Sequence, residues 1–443
     1  MNQLLIINGT IVYSDSTSVS DIAVSNGLIK EIGHLNPKNF PTHQIIDAKG
    51  KYIFPGGIDP HVHLELPTPA GTSCDDFLSG SKAAIAGGTT FIIDFVTPSH
   101  GQSLMKALTF RLKESNKCQL DYTLHMGITW FDETIPEQME WCVNEVGIKS
   151  FKVYLAYKGS IGIEYDELEK VMQTASRLNA IVLVHCEEGD EILKNQKKFL
   201  SQGKTQPLYH ALSRPAEVEA EAVRKVIGLC RKTNCKTYIV HTSTARSLEY
   251  IRAAKMEGLP LFCETCPQYL LLDESVYSKP LPDSLKYVIS PPIRSKQDQE
   301  ALWMALADGT VDVISTDHCP FNTKGQKDVG INDFTKIPNG AGGIENRLAL
   351  LYTYGVLTNK ISLQQFAKLT SSNAARIFDA YPQKGTLEVG SDADLVIWNP
   401  EVKSVISVDT QMQNCDSTIY EGMELQGLAE YVITKGNRVK PVD

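Results

Sequence analysis

The chain has 443 residues, 42% of them hydrophobic and 21% charged, with a formal net charge of −9. That length suits a large barrel plus something smaller, and the acidic balance argues against nucleic acid or an anionic membrane as the main partner while leaving a small neutral substrate open. No apolar run approaches the ~20 residues of a membrane span, no charged region precedes the short apolar run at the N-terminus, and the ten cysteines lack framework spacing, so the expectation is a cytoplasmic protein with reduced thiols.

Taken in chain order, residues 1–52 read as short β segments, "LLIINGTIVYS", "DIAVSNGLIKEIG" and "HQIIDAKGKYI". Asn8-Gly9 and Asn26-Gly27 each sit between apolar runs and read as hairpin turns. From residue 53 the period changes. Eight short apolar runs, opening with "YIFPGGIDPHVH" and closing with "VDVISTDH", alternate with helical patterns such as "YDELEKVMQTASRLN" and "PAEVEAEAVRKVIGLCRKT". Eight strands alternating with helices predict an α/β fold of the (β/α)8 TIM-barrel type over residues 53–384. Residues 385–443 return to the β style of the start, so both termini are expected to build one small β-sandwich domain, 1–52 with 385–443. Cys263 and Cys266 form a CxxC with no second pair nearby, and read as packed free thiols.

Active sites of such barrels lie at the C-terminal ends of the strands, which directs attention to what each strand ends in. The first ends in His61 and His63, two residues apart and so on one side of the strand. The fourth carries Lys152, the fifth ends in His185, the sixth in His241 and the eighth in Asp317. Taken singly, a His-x-His is as well read as two satisfied histidines at a strand end. Taken together, imidazoles and a carboxylate converging on one face are costly unless a cation is bound there. Nitrogen and oxygen ligands suit zinc. A lysine beside a divalent metal is repelled, unless carbon dioxide converts it to a carbamate; the plain alternative is a lysine paired with a carboxylate.

These residues, with "GGIDPHVHLELP", "AAIAGGTTFIIDFVTP", "SFKVYLAYKG", "VHCEEGD", "CETCPQYLLLD", "SPPIR", "STDHCPF" and "PNGAGGIENR" in order, resemble the dihydropyrimidinase/hydantoinase branch of the amidohydrolase superfamily over nearly the whole chain. The resemblance implies two zinc ions per subunit, with His61 and His63 on the first, His185 and His241 on the second, Asp317 as the strand-eight ligand, and carboxylated Lys152 and a hydroxide bridging the two. It implies hydrolysis of the cyclic amide of dihydropyrimidines or 5-substituted hydantoins to N-carbamoyl amino acids. In that chemistry Asp317 carries the proton and Tyr157 holds the carbonyl oxygen, while backbone groups at Ser290 and Asn339 hold the cyclic ureide or imide ring. From the residues alone Tyr157 reads better as an ordinary loop tyrosine, while Ser290 and Asn339 fit plain turn positions equally well. A homodimer or homotetramer is implied by the resemblance only.

The sequence departs from the branch in two loops. "ELPTPAGTSCDDF" lacks the aromatic commonly found after the first-strand motif, and "YLAYKGSIGIEYD" has Gly159–Gly162 where an aromatic is frequent. A less aromatic wall implies a more open or differently shaped pocket. No arginine follows "HVHLELPTPAGT", which ranks dihydroorotase-like substrates low. An allantoinase-like ureide hydrolase stays open as an alternative. So does a protein of another class, a non-catalytic scaffold on the same fold, against which the complete ligand set counts.

Overall fold

The computed structural model describes residues 3–439. Eight parallel strands form the barrel: β1 (Gly57–Val62), β2 (Thr89–Val96), β3 (Asp121–Gly127), β4 (Ser150–Tyr154), β5 (Ile181–His185), β6 (Lys236–Ile239), β7 (Leu261–Thr265) and β8 (Val313–Ile314). They pair in chain order, and helices between them cover the outside. The helix Tyr165–Arg177 shows why: Leu168, Val171, Met172 and Ala175 recur at helical spacing and are all buried.

With β8 only two residues long, side chains help to close the ring. Asp59 of β1 accepts from Thr316 N at 3.2 Å and Thr316 Oγ1 at 2.6 Å, and His63 N donates to His318 O at 2.8 Å. Arg347, fully buried, donates to Ile58 O at 2.7 Å, to Ile314 O at 2.9 Å and to Thr89 Oγ1 at 3.0 Å, joining β1, β2 and β8. Inside the barrel, Ile58, Phe91, Ile93, Leu183, Tyr238 and Val313 belong to one apolar cluster. That packing fills the barrel and leaves its C-terminal mouth for chemistry.

The termini build a second, mixed sheet with the order Asn437–Val439, Glu424–Thr434, Leu395–Val405, Tyr52–Pro55, Gln3–Val12, Thr17–Ser25 and Leu28–Gly33; Gln44–Asp47 also pairs with Gln3–Val12. It curls over its own core. Ile29 near one edge shares an apolar cluster with Ile397 and Ile433 toward the other, and Ile29 N donates to Ser391 O at 3.0 Å.

Two local expectations change. The run "YIFPGGIDPHVH" is two strands, with Tyr52–Pro55 in the terminal sheet and Gly57–Val62 in the barrel. The crossing needs glycine, since a Cβ on Gly56 would lie 2.1 Å from Thr90 Oγ1. Asn26-Gly27 is a two-residue hairpin turn, with Ser25 facing Leu28. Asn8-Gly9 instead lies within one strand as a bulge: Asn8 has φ +62°, the register shifts between Ile6 and Gly9, and Asn8 N donates to Asp21 Oδ1 at 2.9 Å. Among the described residues no helix is long and apolar enough to cross a membrane.

Candidate active site

At the C-terminal mouth of the barrel lies a cavity of about 760 Å³, lined by His61, His63, Lys152, Tyr157, His185, His241, Ser290, Asp317 and Asn339. Residues separated by up to 278 positions, His61 to Asn339, thus meet because the strands that carry or precede them run parallel. Three of them occupy left-handed backbone, Tyr157 at φ +58°, His241 at +36° and Asp317 at +52°. Left-handed backbone is costly for residues with a Cβ and collects at functional sites.

Hydrogen bonds fix how the imidazoles point. His61 Nδ1 lies 2.7 Å from Glu264 Oε1. A carboxylate only accepts, so the proton sits on Nδ1 and the Nε2 lone pair faces the cavity, 3.2 Å from Asp317 Oδ1. His63 Nε2 lies 3.2 Å from that same oxygen. His185 Nε2 donates to Glu187 Oε2 at 2.8 Å, which leaves the Nδ1 lone pair aimed at His241 Nε2, 2.9 Å away.

The carboxylates are themselves held. Glu264 also accepts from His241 N at 3.0 Å and Tyr238 Oη at 2.9 Å; burial nonetheless raises it to about 6, against the pull of Lys152. Glu187 is paired with Arg214. Burial works to raise Glu187, but Arg214 and the His185 hydrogen bond hold it at about 2. Asp317 is likewise lowered: burial opposes its charge, and His61 and His63 favour it.

Lys152 is fully buried. Its Nζ has no hydrogen-bond partner and lies 5.2 Å from the ring centres of both Phe95 and Tyr154. Burial lowers this ammonium to about 8, which brings the neutral, nucleophilic amine within reach at ordinary pH.

The donor set fits a divalent cation. Ligand atoms of His61, His63 and Asp317 lie within 4.8 Å of one another. The buried His61 Nε2 and Lys152 Nζ have no hydrogen-bond partner, and the His61 lone pair faces a carboxylate oxygen, an arrangement that a cation between them makes favourable. Glu264 and Glu187 supply the orienting carboxylates that metal-binding histidines need. Both were missed from the sequence, although they stand in "CETC" and "VHCEEGD"; their only signal is a glutamate within or just after a barrel strand. His318, next to Asp317, turns away: Nε2 donates to Asp75 at 2.9 Å and Nδ1 accepts from Gly343 N at 3.1 Å. It packs rather than lining the mouth. Cys263 and Cys266 are buried free thiols.

A parallel eight-stranded barrel that gathers histidines, a lysine and an aspartate at one mouth defines the class of barrel hydrolases with a metal-ligating strand-end set. The model of the Amidohydrolase family matches residues 52–439, and the chain belongs to that family. It is 42% identical to D-hydantoinase of Geobacillus stearothermophilus, over 98% of this chain and 92% of that protein. It is 41% identical to a dihydropyrimidinase of Dictyostelium discoideum, over 98% and 87% respectively. The crystal structure of dihydropyrimidinase from Brevibacillus agri superposes with a TM-score of 0.97 at 41% identity, covering 99% of this chain and 95% of that one.

Proposed function

We propose that this enzyme hydrolyses the cyclic amide bond of dihydropyrimidines or 5-substituted hydantoins, giving N-carbamoyl amino acids. The observation that carries the reading is the meeting of all six candidate ligands with Tyr157, Ser290 and Asn339 in one cavity, in a chain about 40% identical to proteins named for that chemistry.

In this reading His61 and His63 hold one zinc ion, His185 and His241 a second, and Asp317 and Lys152 complete the set, Lys152 as its carbamate. Bound zinc supplies Lewis acidity, lowering the pKa of water and polarising a carbonyl. Asp317 takes the proton of the attacking water and returns it to the leaving ring nitrogen, a task suited to a carboxylate kept ionised by its neighbours. Tyr157 donates its hydroxyl to the carbonyl oxygen as charge develops there. Burial raises its pKa, so it keeps the proton it must share. Backbone groups at Ser290 and Asn339 hold the ring. The ring substituent meets Leu66, Pro67, Pro69, Ala70, Ile161 and Ile337, a largely aliphatic wall.

The test is hydrolysis of dihydrouracil, hydantoin, 5-phenylhydantoin, allantoin and dihydroorotate by the zinc-loaded protein. Chelator-sensitive opening of dihydrouracil or a hydantoin supports the reading. Two bound metals with no turnover would overturn the substrate class. Preferential opening of allantoin would move the assignment to purine-type ureides. The same reading carries a homodimeric or homotetrameric assembly, which light scattering measures.

A further inference from the structure

Lys327 is a lysine 1% exposed, at the start of a short 3-10 turn, Lys327–Gly330, in the long segment after β8. Its Nζ donates to Val288 O at 2.9 Å and to Pro338 O at 3.0 Å. Among the described residues no carboxylate pairs with it; the Phe321 ring centre lies 6.0 Å from its Nζ, and burial lowers it to about 7. An ammonium desolvated without a counter-ion is expensive, and methionine would fill much the same space without that cost. What the charge provides is the pair of hydrogen bonds.

Those two carbonyls belong to the two turns assigned above to the substrate ring. Val288 is two residues before Ser290, and Pro338 immediately precedes Asn339. Val288 O also accepts Gly340 N at 3.1 Å, so the turns touch directly where Lys327 joins them. The adjacent Gln326 donates to Thr72 O at 2.8 Å, in the loop that follows the cavity-lining residues Leu66–Ala70. Buried Lys327 and its half-buried neighbour Gln326 therefore hold segments from three sides of the cavity.

We propose that Lys327 is a positioning residue for substrate binding: through Val288 O and Pro338 O it fixes the spacing of the turns that present Ser290 and Asn339 to the ring. This rests on the functional reading above. It predicts an effect on ring binding and not on the chemical step, since Lys327 does not line the cavity.

The experiment compares zinc-loaded wild type, Lys327→Met and Lys327→Arg for hydrolysis and for amide hydrogen exchange. Lys327→Met is expected to raise KM at least fivefold with kcat within twofold. Exchange should rise at least tenfold in segments 286–292 and 336–341 while the barrel strand 181–185 stays unchanged, and Lys327→Arg, which keeps charge and donors, should recover at least part of both effects. If methionine does not fold, Lys327→Gln, whose shorter, uncharged side chain does not reach both carbonyls, takes its place under the same criteria. Unchanged KM with unchanged exchange, or a fall in kcat with KM preserved, overturns the assignment. If wild type opens no ring, the functional reading fails on its own account, and the exchange pattern still decides whether Lys327 ties the two turns.

Discussion

Glu264 shows how much of the site is set by a residue that does not face the substrate. It accepts the His61 Nδ1 proton and the His241 amide together, so one carboxylate orients a histidine from each proposed zinc. Glu264→Gln places an amide against His61 and frees the tautomer. The expected result is a 10–100-fold loss of metal affinity, the usual scale for such supporting groups, measured by chelator competition; unchanged affinity would remove Glu264 from the site. Lys152→Ala should lose most of the metal and activity, with partial rescue by short-chain carboxylic acids standing in for a carbamate. Full metal content in that variant would end the bridging role. The histidines, Lys152 and Asp317 were legible because each stands within or just past a predicted strand. Glu264, Glu187 and Lys327 were not, since a buried charge and an ordinary surface charge look alike until packing is known.

At the scale of elements, the helix Ala216–Thr233 holds a loop of the site from behind. Three glutamates stand near its start, Glu217, Glu219 and Glu221, and only Glu219 is buried. Glu219 accepts from Ser243 N at 3.1 Å, Thr244 N at 3.2 Å, Thr244 Oγ1 at 3.0 Å and Ser247 Oγ at 2.8 Å. It thereby holds Thr244, the residue that caps the helix Ala245–Met256, and pins the backbone two residues past His241. Glu219→Ala leaves buried donors without acceptors and is expected to cost roughly 3 kcal/mol or more, with weaker metal retention as His241 loosens. Thermal unfolding and metal content read the two effects; an unchanged Tm would show that water replaces the carboxylate. The helix itself was plain from its period. Which glutamate turns inward was not, because it depends on the loop that the helix meets. The Asn8-Gly9 bulge likewise depends on neighbours in space: the dipeptide permits left-handed backbone, and Gly9 packs so close to Ile53 that a Cβ there would lie 2.3 Å from its Cδ1.

For the molecule as a whole, the alternation of strands and helices made the barrel legible, and the matching β style of the two ends made the second sheet so. What no pattern announced is that the connection between Leu395–Val405 and Glu424–Thr434 lies across the barrel. Asn414 N donates to Asp75 Oδ1 at 2.8 Å, Thr323 N to Asp416 Oδ1 at 2.6 Å, and Tyr420 Oη to Gln268 Oε1 at 3.1 Å. Glu345, from the barrel side, accepts Met412 N at 2.7 Å and Gln413 N at 3.2 Å. Burial raises Glu345 to about 7 against those hydrogen bonds. A carboxyl with a raised folded-state pKa prefers to be protonated in the fold. Its effect is therefore absent well below the unfolded value of about 4.5, destabilising as pH climbs from there to about 7, and constant above. The ceiling is about 3 kcal/mol, reduced because the side chain is not fully buried. Glu345→Gln keeps an acceptor for both amides and removes the charge. Its stability should equal that of wild type near pH 4 and exceed it by about 1–2 kcal/mol at pH 8, read from denaturant unfolding at matched pH values. A difference that does not vary with pH would assign the effect to packing and show that Glu345 holds the C-terminal connection as an ordinary ionised carboxylate.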